Sequence, residues 1–305
     1  MKDRHSIGII GTGWVGSSVA ISTLSMGVAD ELILYDKREE VAEGEAMDLA
    51  HGSSFYPDAL VRSAPPQEML DTRFVVIAAG RGGAPGESRL DLLRENVAIV
   101  RSLADVFQGY GGIAIMVTNP VDVLTYEFQR VSGLPPERVV GTGTMLDTAR
   151  LRQVLGRHLD LSPRSIHAQV VGEHGDSQFP LWSTATLGGI PLRQWPGWSG
   201  EQETEIGDRV RRAAQEIIRR KGATNHAIGL VTATLMKWMS RAERRILTIS
   251  RTQTGAFGLR DLALSLPTIV GSEGALEVLE PPLDPSEAGA LEASASVLRQ
   301  AIADL

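Results

Sequence analysis

Three groups of residues in this chain have types and spacings suited to chemistry. His174 lies in VVGEHGDSQFP (170–180), with glycine at 172 and 175. Glycine on both sides makes this a loop that presents an imidazole to a cleft. Imidazole is the side chain whose ordinary pKa suits acid and base duty near neutral pH. Asp147 and Arg150 lie in GTGTMLDTARLR, and a helical spacing of three puts them on one face. A carboxylate can orient a histidine and stabilise its charged form, and a planar guanidinium can grip a carboxylate at two points. Anchor, proton donor and orienting acid together make a coherent 2-oxo-acid site. A structural histidine beside a surface ion pair accounts for the same residues, and residue chemistry alone leaves both readings open. His5, His51, His158 and His226 take the structural reading.

The second group is Gly11-Thr-Gly-Trp-Val-Gly16. A lone GxGxxG is weak evidence, but here a strand-like run precedes it and a helical pattern follows. Asp36 closes the next strand-like run about twenty positions later, which completes the dinucleotide-binding pattern. Gly11 permits the tight turn, Gly13 lets a pyrophosphate approach the backbone, and Gly16 lets helix pack on strand. The helix N-terminus adds free N–H groups and partial positive charge. Asp36 suits the ribose hydroxyls of NAD and repels the 2′-phosphate of NADP, while neighbouring Lys37 and Arg38 temper that preference. A nicotinamide cofactor implies hydride transfer, and hydride addition to a carbonyl needs the proton that His174 can supply.

The third group is AAGRGGAPGESRLD (78–91), a run of small residues carrying Arg81 and Arg89. Flexible backbone with isolated fixed charges reads as a loop closing over a small anion.

The elements that must position these groups are legible from patterning. Residues 6–10, 31–36, 74–80 and 112–120 are apolar nearly throughout, as strands covered on both faces are. Helical patterns at 15–27, 38–50 and 90–107 lie between them, so the first half reads as a doubly wound α/β parallel sheet. In the second half, 164–177 suggests a strand leading into a loop, and RRILTIS another strand. EIGDRVRRAAQEIIRRKG places Ile206, Val210, Ala213, Ile217 and Lys221 on one stripe, stopped by Gly222. Asp284-Pro285 with Glu287 reads as the cap of a C-terminal helix. The expected division is 1–143 for a dinucleotide domain and 144–305 for a substrate domain, sharing a cleft.

Composition excludes several alternatives. A net charge of −7 with arginines interleaved among acids argues against a nucleic-acid surface. No cysteine is present, which removes disulfides, thiolate nucleophiles and Cys-ligated zinc; no metal site is expected. The apolar run 7–10 is too short for a signal segment, and no stretch approaches a membrane span. A cytoplasmic protein is expected.

The chain resembles the L-lactate/L-malate dehydrogenase family along nearly its whole length, and the lactate branch more closely. The resemblance rests on GTGWVG, EAMDLAHG, GESRLDLLRENV, VTNPVDVLTY, GTGTMLDTARLR, GEHGD and KGATNHAIGL. It implies a Rossmann-type NAD domain, a mixed α/β substrate domain, and a homo-oligomer, tetramer or dimer. It also implies His174 as proton donor and acceptor, Asp147 as its orienting carboxylate, Arg150 as carboxylate anchor and Arg89 as the lid arginine that polarises the reacting carbonyl. Asn119 matches the asparagine near nicotinamide and substrate, and Thr224 a wall of the substrate pocket. Gly11, Val15, Asp36, Gly80, Val117 and Thr142 fall at cofactor contacts. Arg152 and His167 match the positions that bind fructose 1,6-bisphosphate on a subunit interface in many bacterial relatives, although relatives without that regulation carry both residues too.

At one position the chain departs from the family. Gly83 stands where lactate dehydrogenases carry glutamine and malate dehydrogenases arginine. Without arginine, the second carboxylate of oxaloacetate is an unpaired charge in a closed pocket, at a cost of several kcal/mol, unless Arg81 supplies the cation. Without glutamine, the pocket is wider, and an added methylene is worth only about 1–3 kcal/mol in an apolar pocket. Similarity of 147–166 and 172–184 to L-2-hydroxyisocaproate dehydrogenases points the same way. Conversion of pyruvate and L-lactate is the leading expectation, with malate or bulky 2-hydroxy acids as alternatives and a non-catalytic NAD-binding protein as the reading from another class. Gly83→Gln is expected to raise kcat/KM for pyruvate over bulkier 2-oxo acids, and Gly83→Arg to raise it for oxaloacetate. Unchanged selectivity in both variants means that position 83 does not face the substrate.

Overall fold

The computed structural model describes residues 5–82 and 88–305, with the side chain of Arg89 outside the description. The apolar runs of the first half form β1 (Ser6–Ile10), β2 (Glu31–Tyr35), β3 (Leu60–Ser63), β4 (Phe74–Ile77), β5 (Ile113–Met116) and β6 (Val139–Gly141). Between them run α1 (Trp14–Ser25), α2 (Glu39–His51), α3 (Arg89–Val106) and α4 (Val121–Ser132). All six strands are parallel, in the order β3-β2-β1-β4-β5-β6. That is the doubly wound arrangement whose ligand crevice opens at the carboxyl ends of the strands.

Burial explains the strand composition. Ile7, Ile9, Phe74, Val76 and Ile115 face one helical layer, while Ile10, Val75, Ile77, Ala114 and Met116 face the other. Each of these side chains larger than Ala114 contributes about 1.5–3 kcal/mol when fully removed from water. The strands are shorter than the apolar runs: β4 ends at Ile77 and β5 at Met116. Residues beyond them leave the ladder and form the crevice edge. β3 and β6 carry no long apolar run, and patterning does not reveal them. β3 is an edge strand with partly exposed side chains, and β6 has only three residues.

The second half contributes α5 (Met145–Leu159), then the short strands β7 (Ile166–His167), β8 (Val170–Val171), β9 (Phe179–Pro180), β10 (Thr186–Leu187) and β11 (Ile190–Pro191). α6 (Gly200–Lys221), α7 (His226–Ser240), β12 (Arg245–Thr254), β13 (Arg260–Gly271), β14 (Gly274–Val278) and α8 (Pro285–Ala303) follow. The strands β12, β13 and β14 pair antiparallel and join the parallel sheet where Ser250 meets Gly141, giving nine strands among the described residues. The strand expected at RRILTIS is thus the first of a meander that extends the sheet across the middle of the sequence. A third apolar cluster, including Leu151, Leu155, Trp182, Leu187, Ile206 and Val210, packs α5 and α6 on the short strands.

The expected α6 stripe holds only over the first half of the helix. Ile206 and Val210 are buried, but Ile217 is 38% exposed and Lys221 lies at the surface. The C-terminal half extends beyond the third core and carries Glu216 paired with Arg219 and Arg220 instead. Gly222 ends the helix at φ +85, in the left-handed region glycine favours.

At α8 the Asp284 carboxylate accepts from the hydroxyl and N–H of Ser286 and from the N–H of Glu287, and the Glu287 side chain returns to the N–H of Asp284. Arg193 adds an ion pair at 2.9 Å. These partners hold the Asp284 carboxyl well below the usual range. Asp284→Ala removes the cap and is expected to cost about 0.5–2 kcal/mol in chemical denaturation, with NADH affinity retained. An unchanged midpoint means the helix does not depend on its cap.

Candidate active site

The carboxyl ends of the parallel strands converge on one edge. Gly11 follows β1 at φ +93, and a Cβ there would press on the backbone of Ala79 beyond β4. A Cβ on Gly16 would run into the carbonyl of Gly11, so helix and turn approach too closely for any other residue. A Cβ on Gly13, by contrast, would meet nothing, and Gly13 caps α1 without a side-chain hydrogen bond. Space beside the α1 N-terminus is therefore open, as a pyrophosphate approaching its N–H groups requires.

Asp36 stands at the end of β2, with its side chain 13% exposed. Its carboxylate accepts from Thr12 N–H at 3.0 Å and Arg38 N–H at 3.1 Å, which aims it along the glycine turn. A cavity of about 820 Å³ runs from Gly11, Gly13 and Asp36 to Gly80 and Leu103, large enough for the adenosine half of a dinucleotide. Lys37 and Arg38 also line it. Val15 lies on the first turn of α1, Val117 just beyond β5 and Thr142 just beyond β6, all on this edge. These residues fit NAD.

Gly80 is the close-approach point beside the loop. A Cβ there would strike the Thr118 methyl. Asn96 of α3 braces the same region, accepting from Arg81 N–H at 2.7 Å and donating to the carbonyls of Arg81 and Asn119 at 3.3 Å each. Arg81 itself pairs with Glu95. Gly83 lies outside the described residues, as does the Arg89 side chain; the Arg89 backbone opens α3, capped by Ser88.

Asp147 occupies the first turn of α5 and is 1% exposed. Hydroxyls pin that turn: Thr144 Oγ1 donates to Val170 O at 2.6 Å, and Thr148 Oγ1 accepts from Val170 N–H at 2.9 Å. α5 is thereby fastened to β8, which leads directly into the loop carrying His174. His174 Nδ1 lies 2.7 Å from Asp147 Oδ2. A carboxylate only accepts, so Nδ1 carries the proton and donates, leaving Nε2 for a substrate. Arg150 Nη1 donates to the other oxygen, Oδ1, at 2.6 Å, and the Arg150 side chain is only 13% exposed. Gln178 Nε2 stands 3.5 Å from the same oxygen. This is a buried cluster, which removes the surface ion-pair reading of Asp147 and Arg150.

The electrostatics follow from burial and pairing. Burial pushes the Asp147 carboxyl up, but the hydrogen bond and charge of His174, with Arg150, outweigh it and hold the group below the usual range. Burial pushes His174 down, but Asp147, through hydrogen bond and charge, and then Asp122 raise it above the ordinary 6.5 despite Arg150. The site therefore holds the ring proton more tightly than water does.

The loop backbone is held as firmly as the ring. Glu173 N–H donates to Ser294 Oγ of α8 at 2.6 Å, and His174 N–H to Asp122 Oδ2 of α4 at 2.6 Å. Thr224 sits in the turn between α6 and α7, which Asn225 ties to Ser18 of α1 at 2.9 Å; it shares none of the bonds joining His174, Asp147 and Arg150. Arg152 donates to Ala168 O at 2.9 Å, next to exposed His167, and with Arg164 lines a cavity of about 340 Å³ that does not include His167. Sequence reading missed Asn96, Asp122, Gln178 and Ser294. The available signal was polar residues on buried stripes: Asn96 falls between Leu93 and Val100, and Ser294 between Leu291 and Leu298.

A parallel sheet edge fitted to a dinucleotide, joined to a histidine–carboxylate pair, defines a nicotinamide-dependent oxidoreductase. The chain belongs to the lactate/malate dehydrogenase family: residues 5–141 match its NAD binding domain and residues 144–305 its alpha/beta C-terminal domain. It is 43% identical to the L-lactate dehydrogenase of Moorella thermoacetica, covering 100% of this chain and 99% of that one. It is 41% identical to the L-lactate dehydrogenase of Geobacillus thermodenitrificans, over 98% of this chain and 96% of the relative. Among solved structures, the ligands-bound minor L-lactate dehydrogenase of Enterococcus mundtii superposes with a TM-score of 0.96 at 37% identity, covering 100% and 99% of the two chains.

NMR titration of the His174 ring is expected to give a midpoint above 6.5. Asp147→Asn removes the charge that offsets burial, so the midpoint moves to lower pH. Equal midpoints in parent and variant mean that Asp147 does not govern this proton.

Proposed function

We propose that the protein interconverts pyruvate and L-lactate with NAD(H), using His174 as the proton donor and acceptor. The observation that carries the reading is the buried Asp147 carboxylate, bonded on one oxygen by His174 and on the other by Arg150. NADH, held along the edge formed by Gly11, Gly13 and Asp36, would supply hydride chemistry at the substrate carbonyl carbon. His174 Nε2 delivers a proton to the carbonyl oxygen, and Asp147 stabilises the imidazolium before transfer. Arg150 grips the substrate carboxylate in a two-point contact, which also aligns the ketone with the histidine. Arg89, at the start of α3, polarises the carbonyl once the preceding loop closes and water is excluded. Asn119 would hold the substrate carbonyl beside the cofactor, Thr224 would wall the pocket, and Val15, Val117 and Thr142 would contact the cofactor at the carboxyl edge of the sheet. Lactate oxidation reverses each step and needs neutral His174.

The choice of pyruvate rests on full-length similarity to proteins named L-lactate dehydrogenase. A broader 2-oxo-acid range is the second reading, favoured by Gly83. The division at residue 143 into NAD and substrate halves belongs to the same proposal. So does assembly into a dimer or tetramer, supported by Trp14, Met47 and Phe55 standing 63%, 61% and 91% exposed on adjoining elements. Arg152 and His167 are proposed to take fructose 1,6-bisphosphate where subunits meet. Among the described residues, no helix is long and apolar enough to cross a membrane; a cytoplasmic setting, with its exchanging NAD pool, suits the proposed reaction.

The test is kcat/KM with NADH for pyruvate, oxaloacetate and 2-oxoisocaproate, with and without fructose 1,6-bisphosphate. Pyruvate is expected to lead, and His174→Ala to abolish turnover while NADH still binds. Turnover surviving in His174→Ala overturns the site; an oxaloacetate preference overturns the substrate; sedimentation as a monomer with and without the bisphosphate removes the assembly.

A further inference from the structure

The loop that carries His174 is gripped by a carboxyl group that the reaction does not use. Asp122, in the first turn of α4, is 2% exposed and accepts from the backbone N–H of His174 at 2.6 Å. Its other oxygen, Oδ1, is buried on the side of the Ser250 hydroxyl. The neighbouring amide, Glu173 N–H, is held at the same distance by a neutral hydroxyl, Ser294 Oγ. A hydroxyl therefore suffices to restrain this backbone, and a carboxyl costs far more to bury. Its presence needs a reason beyond restraint, and the charge of His174 supplies one.

We propose that Asp122 is a positioning residue for proton transfer: from α4 it holds the backbone of His174 and brings a second negative charge to the imidazole, while Asp147 holds the ring from α5. One carboxyl bonds the His174 backbone from α4 and the other bonds its ring from α5, so the residue is held at both its covalent root and its Nδ1. Asp122 also lies three residues after Asn119 in TNPVD. One short segment thus sets the substrate-side asparagine and the height of the proton donor together, at the carboxyl edge of β5. The carboxyl faces His174 and Glu173 from the loop and the Ser250 hydroxyl from β12. His174 in turn faces Asp147 and Arg150 from α5. Burial pushes Asp122 up to about 7, against the Ser250 hydroxyl and the His174 amide and charge, with Glu173 pushing the same way as burial. Its charge therefore depends on the imidazolium beside it, and in return helps His174 keep its proton.

The inference rests on His174 being the proton donor, and two substitutions test it beside a His174→Ala control. Asp122→Asn keeps an acceptor for the His174 N–H and removes the charge. The pH midpoint of kcat/KM for pyruvate should move lower, with the acid plateau of kcat close to the parent's. Asp122→Ala removes acceptor and charge. Its kcat should fall about tenfold or more, since small misplacements of a reacting group cost on that order or above, while KM for NADH stays the same. An Asp122→Asn midpoint equal to the parent's overturns the proposal, and this holds even if Asp122→Ala does not fold. A folded Asp122→Ala with lower Tm but the parent's kcat overturns it too, because the role is then structural only. Activity persisting in His174→Ala sinks the reading of the site instead, so the two failures are distinguishable.

Discussion

Everything at the chemical end of the molecule hangs on one buried carboxylate. Asp147 is almost wholly removed from water, which is costly for an ion unless partners compensate. It has two, a histidine on one oxygen and an arginine on the other. The first turn of α5 adds the positive end of a helix dipole. These interactions bind each partner to the same point. The separation of the imidazole and the guanidinium is therefore set by the width of one carboxylate, which is a rigid ruler.

That ruler is useful only if the loop and the helix that share it stay in register. Two hydroxyls at the start of α5, from its N-cap Thr144 and from Thr148, bond the ends of Val170, four residues before His174. Ser265 of β13 bonds the N–H of Thr144 and, through its backbone, pairs with Gly172. The antiparallel strands that extend the sheet thus serve the site: β13 is the wall against which α5 and the histidine loop are aligned. α4 and α8 then hold successive amides of the loop from the other side.

The cofactor edge obeys a different constraint, that of close backbone approach. Gly11, Gly16 and Gly80 each sit where a Cβ would meet neighbouring atoms, whereas Gly13 opens to empty space. The first three let the turn, helix and strand ends pack closely; the last leaves room for the ligand. Asn96 joins this edge to the chemical end, since its side chain bonds both Arg81 at the root of the loop and Asn119 beside the α4 turn.

Much of this was legible in the linear sequence, for physical reasons that can be named. Strands covered on both faces must be apolar throughout, so β1, β2, β4 and β5 declare themselves. A phosphate-binding turn needs glycine at fixed offsets, and a helix cap needs Asp284, Pro285 and Glu287 within one turn. The candidate chemistry was visible because histidine, arginine and aspartate were set in glycine-rich or helical contexts. The antiparallel extension of the sheet, the three-residue β6 and the exposed second half of α6 were not, because they depend on what lies alongside rather than on local pattern. The same holds for the state of Asp147 and Arg150, whose spacing suits a surface pair as well as a buried one. Composition and spacing determined which groups the chain brings to the reaction; only the tertiary structure decided their burial, and burial decides whether a carboxylate and an imidazole are solvated bystanders or a coupled pair.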